Sequence, residues 1–222
     1  MSGVRQVAGR VLATRAARAC GCAGLVALLG VFVLAFASRP LAQNALRAWD
    51  ASIVKLGLAL GADPDRPWSE AGTTPLHVQA ASGQVDCVEA LIRAGADVNV
   101  AAEGGITPLF GAVGVDDARV VRVLLTAGAL VTVRDRRGST PLHRVRSAAV
   151  CKLLLDAGAD AAARRNDGAT PLHRAAQAAD AETVALLIGA GAPKLARDNA
   201  GRTPLDWARS SGNAETITAL QN

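Results

Sequence analysis

Five threonines, at positions 74, 107, 140, 170 and 203, each open the same string Thr-Pro-Leu, at intervals of 33, 33, 30 and 33 residues. Three of the strings continue into a histidine (His77, His143 and His173), one into Phe110 and one into Asp206. A second marker follows at a fixed distance: Gly95-Ala96-Asp97, Gly128-Ala129-Leu130, Gly158-Ala159-Asp160 and Gly191-Ala192-Pro193. Self-similarity at this period restricts the chain to a stacked array of small supersecondary units. Thr before Pro predicts a helix start, because the Thr oxygen accepts an orphan N–H of the first turn and Pro has none to lose. The Gly of the second marker predicts the stop, since it takes the left-handed conformation without a Cβ penalty.

Between start and stop the pattern predicts two short helices, the second apolar, as in Val85 to Ile92 and Val120 to Leu125. Helices of this length are marginal alone and must bury their faces on copies of themselves. The whole pattern, Gly-x-Thr-Pro-Leu-His, helix, turn, helix, Gly-Ala-Asp, resembles the ankyrin repeat family. The resemblance implies an all-α fold, a solenoid of stacked helix-turn-helix units with loop or hairpin fingers, and a non-catalytic protein-binding role. The units fall at 40–72 (degenerate), 73–105, 106–138, 139–168 (shortened), 169–201 and 202–222, the last a C-terminal cap.

Half of the residues are hydrophobic, but three Phe, three Trp and no Tyr leave the core to Ala, Val and Leu. The net charge of +5 invites a nucleic-acid reading, which its distribution removes. Arg5, Arg10, Arg15, Arg18 and Arg39 stand before residue 40 with no acid, leaving nineteen basic and nineteen acidic residues from there onward. Such a basic tail points to membrane targeting more than to phosphate-backbone binding. It flanks an uncharged run, 20–37, whose eighteen residues would span roughly 27 Å as a helix. The expectation is an N-terminal hydrophobic helix anchoring the chain, its N-terminus inside and the units outside the cytoplasm. The alternative is a secretory signal cleaved near Ala37, after the small-x-small string Ala35-Phe36-Ala37.

Three units depart from the pattern. The first lacks Thr-Pro-Leu-His but keeps Gly61-Ala62-Asp63 and apolar positions at Leu46, Trp49, Ile53, Val54, Leu56 and Leu58. The fourth is short by three residues around Val145-Arg146-Ser147, about one helical turn, which predicts a notch in one face of the stack. The last ends on a helix expected to expose Thr216 and Thr218.

The histidines occupy one repeat position, so successive rings are roughly 8 to 10 Å apart at the closest and cannot converge on one metal ion. The expectation is that each ring bonds near its own Thr and tethers the next unit. Asp206 can replace it as a capping acid three residues after Thr203, whereas Phe110 cannot. Cys87 and Cys151 are two units apart, too far for a disulfide, and are expected as buried thiols. No nucleophile elbow, phosphate-binding Gly motif or zinc spacing occurs, so no catalytic residue, cofactor or metal is assigned.

The resemblance also implies that a partner meets the loop tips before each Thr and the exposed end of the first helix. On this chain those positions include Glu70, Glu103, Arg136, Arg137, Asn166, Asp167, Asn199 and Gln177. Residues 131–175 carry nine basic and four acidic residues, whereas 40–130 carry six basic and ten acidic. These are either solvated faces or a basic centre in which Arg136, Arg137, Arg144, Arg164, Arg165 and Arg174 line one patch beside the notch. The sequence thus reads as a protein–protein interaction scaffold with a protein partner, acidic where it meets that centre, and a membrane contact through 20–37. No nucleic acid and no small-molecule substrate is implied. The alternatives are an inhibitor or immunity-type binder of a specific enzyme, or a binder of anionic membrane surfaces.

Overall fold

The structure is a computed structural model that describes residues 43–45, 47, 50–178 and 181–221. Its elements are α1 (Ala51–Ala59), α2 (Pro75–Ala81), α3 (Val85–Arg93), α4 (Pro108–Gly114), α5 (Ala118–Thr126), a 3-10 helix (Pro141–Arg144), α6 (Ala148–Asp156), α7 (Pro171–Ala178), α8 (Ala181–Gly189), α9 (Pro204–Ser211) and α10 (Ala214–Gln221). They stack in two rows. The inner row is α2, α4, the 3-10 helix, α7 and α9, and the outer row is α1, α3, α5, α6, α8 and α10, each element touching the next in its row. No strand occurs among the described residues, only an isolated bridge between Ala102 and Ile106.

The periodic residues build one continuous core. Leu76, Leu109, Leu142 and Leu172, the leucines of the first four Thr-Pro-Leu strings, are fully buried, as are Leu91, Leu124, Leu154 and Leu187 of the outer row, whereas Leu205 of the last string is half-buried. Cys87 and Cys151 are free and buried, Cys151 at the position that Val88, Val121 and Val184 fill in other units. The stop markers behave as their residue type dictates: Gly61, Gly95, Gly128, Gly158 and Gly191 all take φ between +85° and +91°. The degenerate first unit therefore keeps its stop. Its helix α1 starts at Asp50, whose carboxylate accepts from the Ser52 N–H at 2.7 Å, and Val54 is buried. Ile53, expected in its apolar face, is 41% exposed, because only one stripe of α1 meets α3. Leu46, Trp49 and the apolar run 20–37 lie outside the described residues, among which no helix is long and apolar enough to cross a membrane.

Two expectations about the irregular units have different outcomes. In the shortened unit the first helix is a single 3-10 turn, after which Val145 is extended and Ser147 at once caps α6, so a turn is missing as the deletion requires. At the C-terminal end Thr218 is exposed, but Thr216 is fully buried, which corrects the expectation. Thr216 falls at the core position held by Cys87, Val120 and Val150, and its hydroxyl donates to the Ala176 carbonyl of the preceding unit at 3.1 Å.

Candidate partner-binding cleft

The loops before each Thr stand side by side and are bonded into a ladder. The N–H groups of Glu103, Arg136, Asn166 and Asn199 donate to the carbonyls of Ala71, Gly104, Arg137 and Asp167, at 2.6 to 3.0 Å. Two of the loop-tip asparagines named from the sequence add side-chain bonds along the same direction: Asn166 Nδ2 donates to Arg136 O and Asn199 Nδ2 to Asn166 O. So close an approach needs glycine. A Cβ on Gly138 would lie 2.5 Å from Asn166 Oδ1, and one on Gly168 2.5 Å from Asn199 Oδ1, and both glycines have positive φ. The ladder fixes the relative position of the tips, which is the preorganisation a binding surface requires.

Behind the tips, each histidine couples its own unit to the next. The Thr74, Thr140 and Thr170 N–H groups donate to Nδ1 of His77, His143 and His173 at 3.1 to 3.2 Å. An accepting Nδ1 leaves the proton on Nε2, which donates to the carbonyls of Ile106, Ala169 and Arg202 at 2.9, 3.3 and 3.0 Å. Both ring nitrogens are thus occupied in structural bonds, as the repeat position implies. Burial lowers the pKa of all three, His143 to about 4, with the cations Arg165 and Arg134 also acting on His143. Phe110 breaks the series. Thr107 Oγ1 is left buried without a partner, while Phe110 is itself fully buried and carries the Arg144 guanidinium 5.0 Å from its ring centroid.

The missing turn opens a cleft of about 620 Å³ in the inner row, between the ends of α4 and α7. Gly114 of α4 lies on one side and Arg174 of α7 on the other, and Arg136, Arg137, Arg144, Arg146 and Arg165 line it with them. The one carboxylate in the wall, Asp135, is buried and already engaged. It pairs with Arg144 at 3.1 Å and accepts from the N–H groups of Ser139 and Arg137. Burial opposes its charge, but those donors outweigh burial and hold its pKa below the usual carboxylate range. Arg174 is held below the usual guanidinium range, first by desolvation and then by Arg165, with Arg146 and Arg137 acting in the same sense.

Of the residues singled out from the sequence, the cleft gathers Arg136, Arg137, Arg144, Arg165 and Arg174, and an adjoining depression adds Asp167 and Gln177. Gln177 accepts from Arg174 at 2.9 Å and Asp167 pairs with Arg165 at 3.2 Å. Arg136 also pairs with the exposed Glu103 at 3.0 Å, and Glu70 is exposed at the first tip. Arg164 lies elsewhere: its guanidinium donates to the Arg197 carbonyl at 2.8 Å and serves the ladder, as Arg134 does on Arg164 O. Arg146 also lines the cleft, although it belongs neither to a loop tip nor to the basic centre expected from the sequence. Its place inside the deleted stretch was the available signal, because the missing turn is what brings it to the cleft.

The family model described as Ankyrin repeats (3 copies) matches residues 41–135 and 142–222, well over half of the chain. No curated protein matches it.

Proposed function

The chain belongs to the ankyrin repeat family, whose stacked units make protein-binding scaffolds, and on that premise we propose that its arginine-lined cleft and adjoining loop tips hold an acidic segment of one protein partner. The observation that carries the reading is the concentration of six arginines around a cleft whose only carboxylate is buried and already paired. Like charges held together in a partly desolvated wall are costly until an anion enters. Arg is suited to this, because its planar fork meets carboxylate oxygens two at a time. The rigid ladder supports recognition with little ordering cost on the scaffold side.

The scaffold is non-catalytic in this reading, since the histidine nearest the cleft, His143, has both nitrogens engaged in the tether. It stands at a membrane with its units outside the cytoplasm, a placement that rests on the arginine asymmetry about the uncharged run 20–37. Reporter fusions after Asn222 test the placement, and activity only of the cytoplasmic reporter contradicts it. The docking reading is tested by crosslinking in the native envelope, with the wild-type chain beside an Arg137→Gln, Arg146→Gln, Arg174→Gln variant. A partner captured by the first and lost from the second is expected, and identical capture by both overturns the reading.

A further inference from the structure

The chemistry of the cleft is narrower than a general preference for acids. In the loops on either side, the residue five before Thr is an aspartate, Asp135 before Thr140 and Asp198 before Thr203. Each is buried and accepts the N–H groups of its own loop. In the loop between them this position is Arg165, so a carboxylate gives way to a cation whose side chain is only 14% exposed. Its Nη2 reaches Asp167, and its Nε is buried with no acceptor.

Around Arg165 stand Arg137, Arg146 and Arg174, which form no ion pair among the described residues. Three guanidinium groups without an ion pair thus face one concave space, with Asp167 at its edge the carboxylate that acts on Arg174. The described lining holds no Lys, Phe, Trp or Tyr, its one imidazole, His143, is buried with both nitrogens engaged in the tether, and Ile106 is its one large apolar residue, so the lining offers little to stack a base or take an acyl chain.

We propose that this cleft binds a phosphate monoester group, carried on a phosphorylated side chain of the protein partner. The proposal rests on the docking reading above and specifies the group that enters. A carboxylate brings one charge and two oxygens, whereas a phosphate monoester at neutral pH brings close to two charges and three strong acceptor oxygens. The second is the better match to several guanidinium forks that line one cleft. The volume of about 620 Å³ admits such a group together with the side chain and neighbouring backbone that carry it.

The test is titration calorimetry on the full-length chain at pH 7.5 and fixed ionic strength. The probes are a short peptide bearing one phosphoserine, the same peptide with glutamate there, inorganic phosphate, and vesicles containing phosphatidic acid. The phosphopeptide is expected to bind at least tenfold more tightly than its glutamate counterpart. Arg146→Gln with Arg174→Gln should lose at least tenfold of that affinity, while Arg122→Gln, exposed on the outer row, should lose none. Binding of the phosphopeptide that survives the double substitution overturns the site. Equal binding of the glutamate peptide overturns the phosphate assignment and leaves the acidic docking reading standing. Preference for the vesicles over the phosphopeptide overturns the protein source. If the phosphopeptide binds as expected while the native partner still crosslinks to the triple variant, the docking reading falls and the phosphate chemistry of the cleft stands.

Discussion

Nε2–H of His143 donates to the carbonyl of Ala169, 26 residues onward, while Nδ1 of the same ring accepts from the Thr140 N–H. Both bonds need the neutral ring, since a protonated Nδ1 would point a proton at a donor. The folded pKa of about 4 lies below the ordinary 6.5, so the unfolded chain binds a proton first as pH falls. Stability from this ring is therefore complete above pH 6.5 and is lost progressively between about 6.5 and 4, amounting to about 3 kcal/mol. His77 and His173 shift in the same direction and add to the loss. Urea midpoints at pH 7.5 and 4.5 measure it. His143→Phe, which places the ring of Phe110 in the same role, should flatten the acid limb.

Phe110 is where the tether is replaced by packing. Phe110→Ala should cost about 3 to 5 kcal/mol, the range for emptying a buried aromatic site, and it removes the surface under Arg144. Phe110→His should cost much less at pH 7.5, because the new ring can cap the unpartnered Thr107 hydroxyl. The same substitution should bring acid sensitivity to a unit that lacks it. Chemical denaturation at two pH values separates these outcomes.

The loop ladder makes a paired prediction about glycines. Gly158 and Gly168 both have positive φ, +85° and +78°, so alanine at either carries a backbone penalty of about 1 to 2 kcal/mol. Only at Gly168 would the Cβ also strike the next loop, at 2.5 Å from Asn199 Oδ1 and 2.9 Å from its backbone N. Gly168→Ala should therefore destabilise more than Gly158→Ala and speed hydrogen exchange at the Asn199 amide. Equal costs would mean that the loops are not in register.

At the C-terminal end, Thr216→Ala should cost about 1 to 2 kcal/mol, because it leaves the buried Ala176 carbonyl without the hydroxyl that donates to it. Thr218→Ala, on the exposed face, should stay within about 0.5 kcal/mol. Thermal unfolding of the two variants is enough to tell them apart.

What was legible in the sequence was whatever a short string can dictate. Thr, the Pro that follows it and the His three residues after Thr specify a helix start, a cap and a tether wherever they recur, and Gly specifies the stop. The three-residue deletion located the notch for the same reason, since a lost turn shortens one helix and not its neighbours. Long side chains at the cleft were less legible. Arg164 and Arg165 are adjacent in sequence, yet one turns back to the Arg197 carbonyl and the other lines the cleft. That choice depends on where the next loop presents an acceptor, which composition does not encode. Polarity alone places Thr216 on the surface, whereas its repeat position places it in the core, and the repeat position decides. Cys87, Val120 and Val150 at the same position already marked it as core.

The central claim is that the arginine cleft is the docking site, and the most direct measurement is the affinity of the captured partner over a salt series. It is made with the wild-type chain, with the Arg137→Gln, Arg146→Gln, Arg174→Gln variant, and with a Glu70→Gln, Glu103→Gln variant. An electrostatic site in the cleft predicts that the arginine variant loses at least tenfold in affinity and that its salt dependence flattens, because screening has less charge left to act on. The glutamate variant should bind like the wild type. Unaltered affinity and salt slope in the arginine variant, with binding lost in the glutamate variant, would contradict the claim and move the interface to the acidic loop tips of the first units.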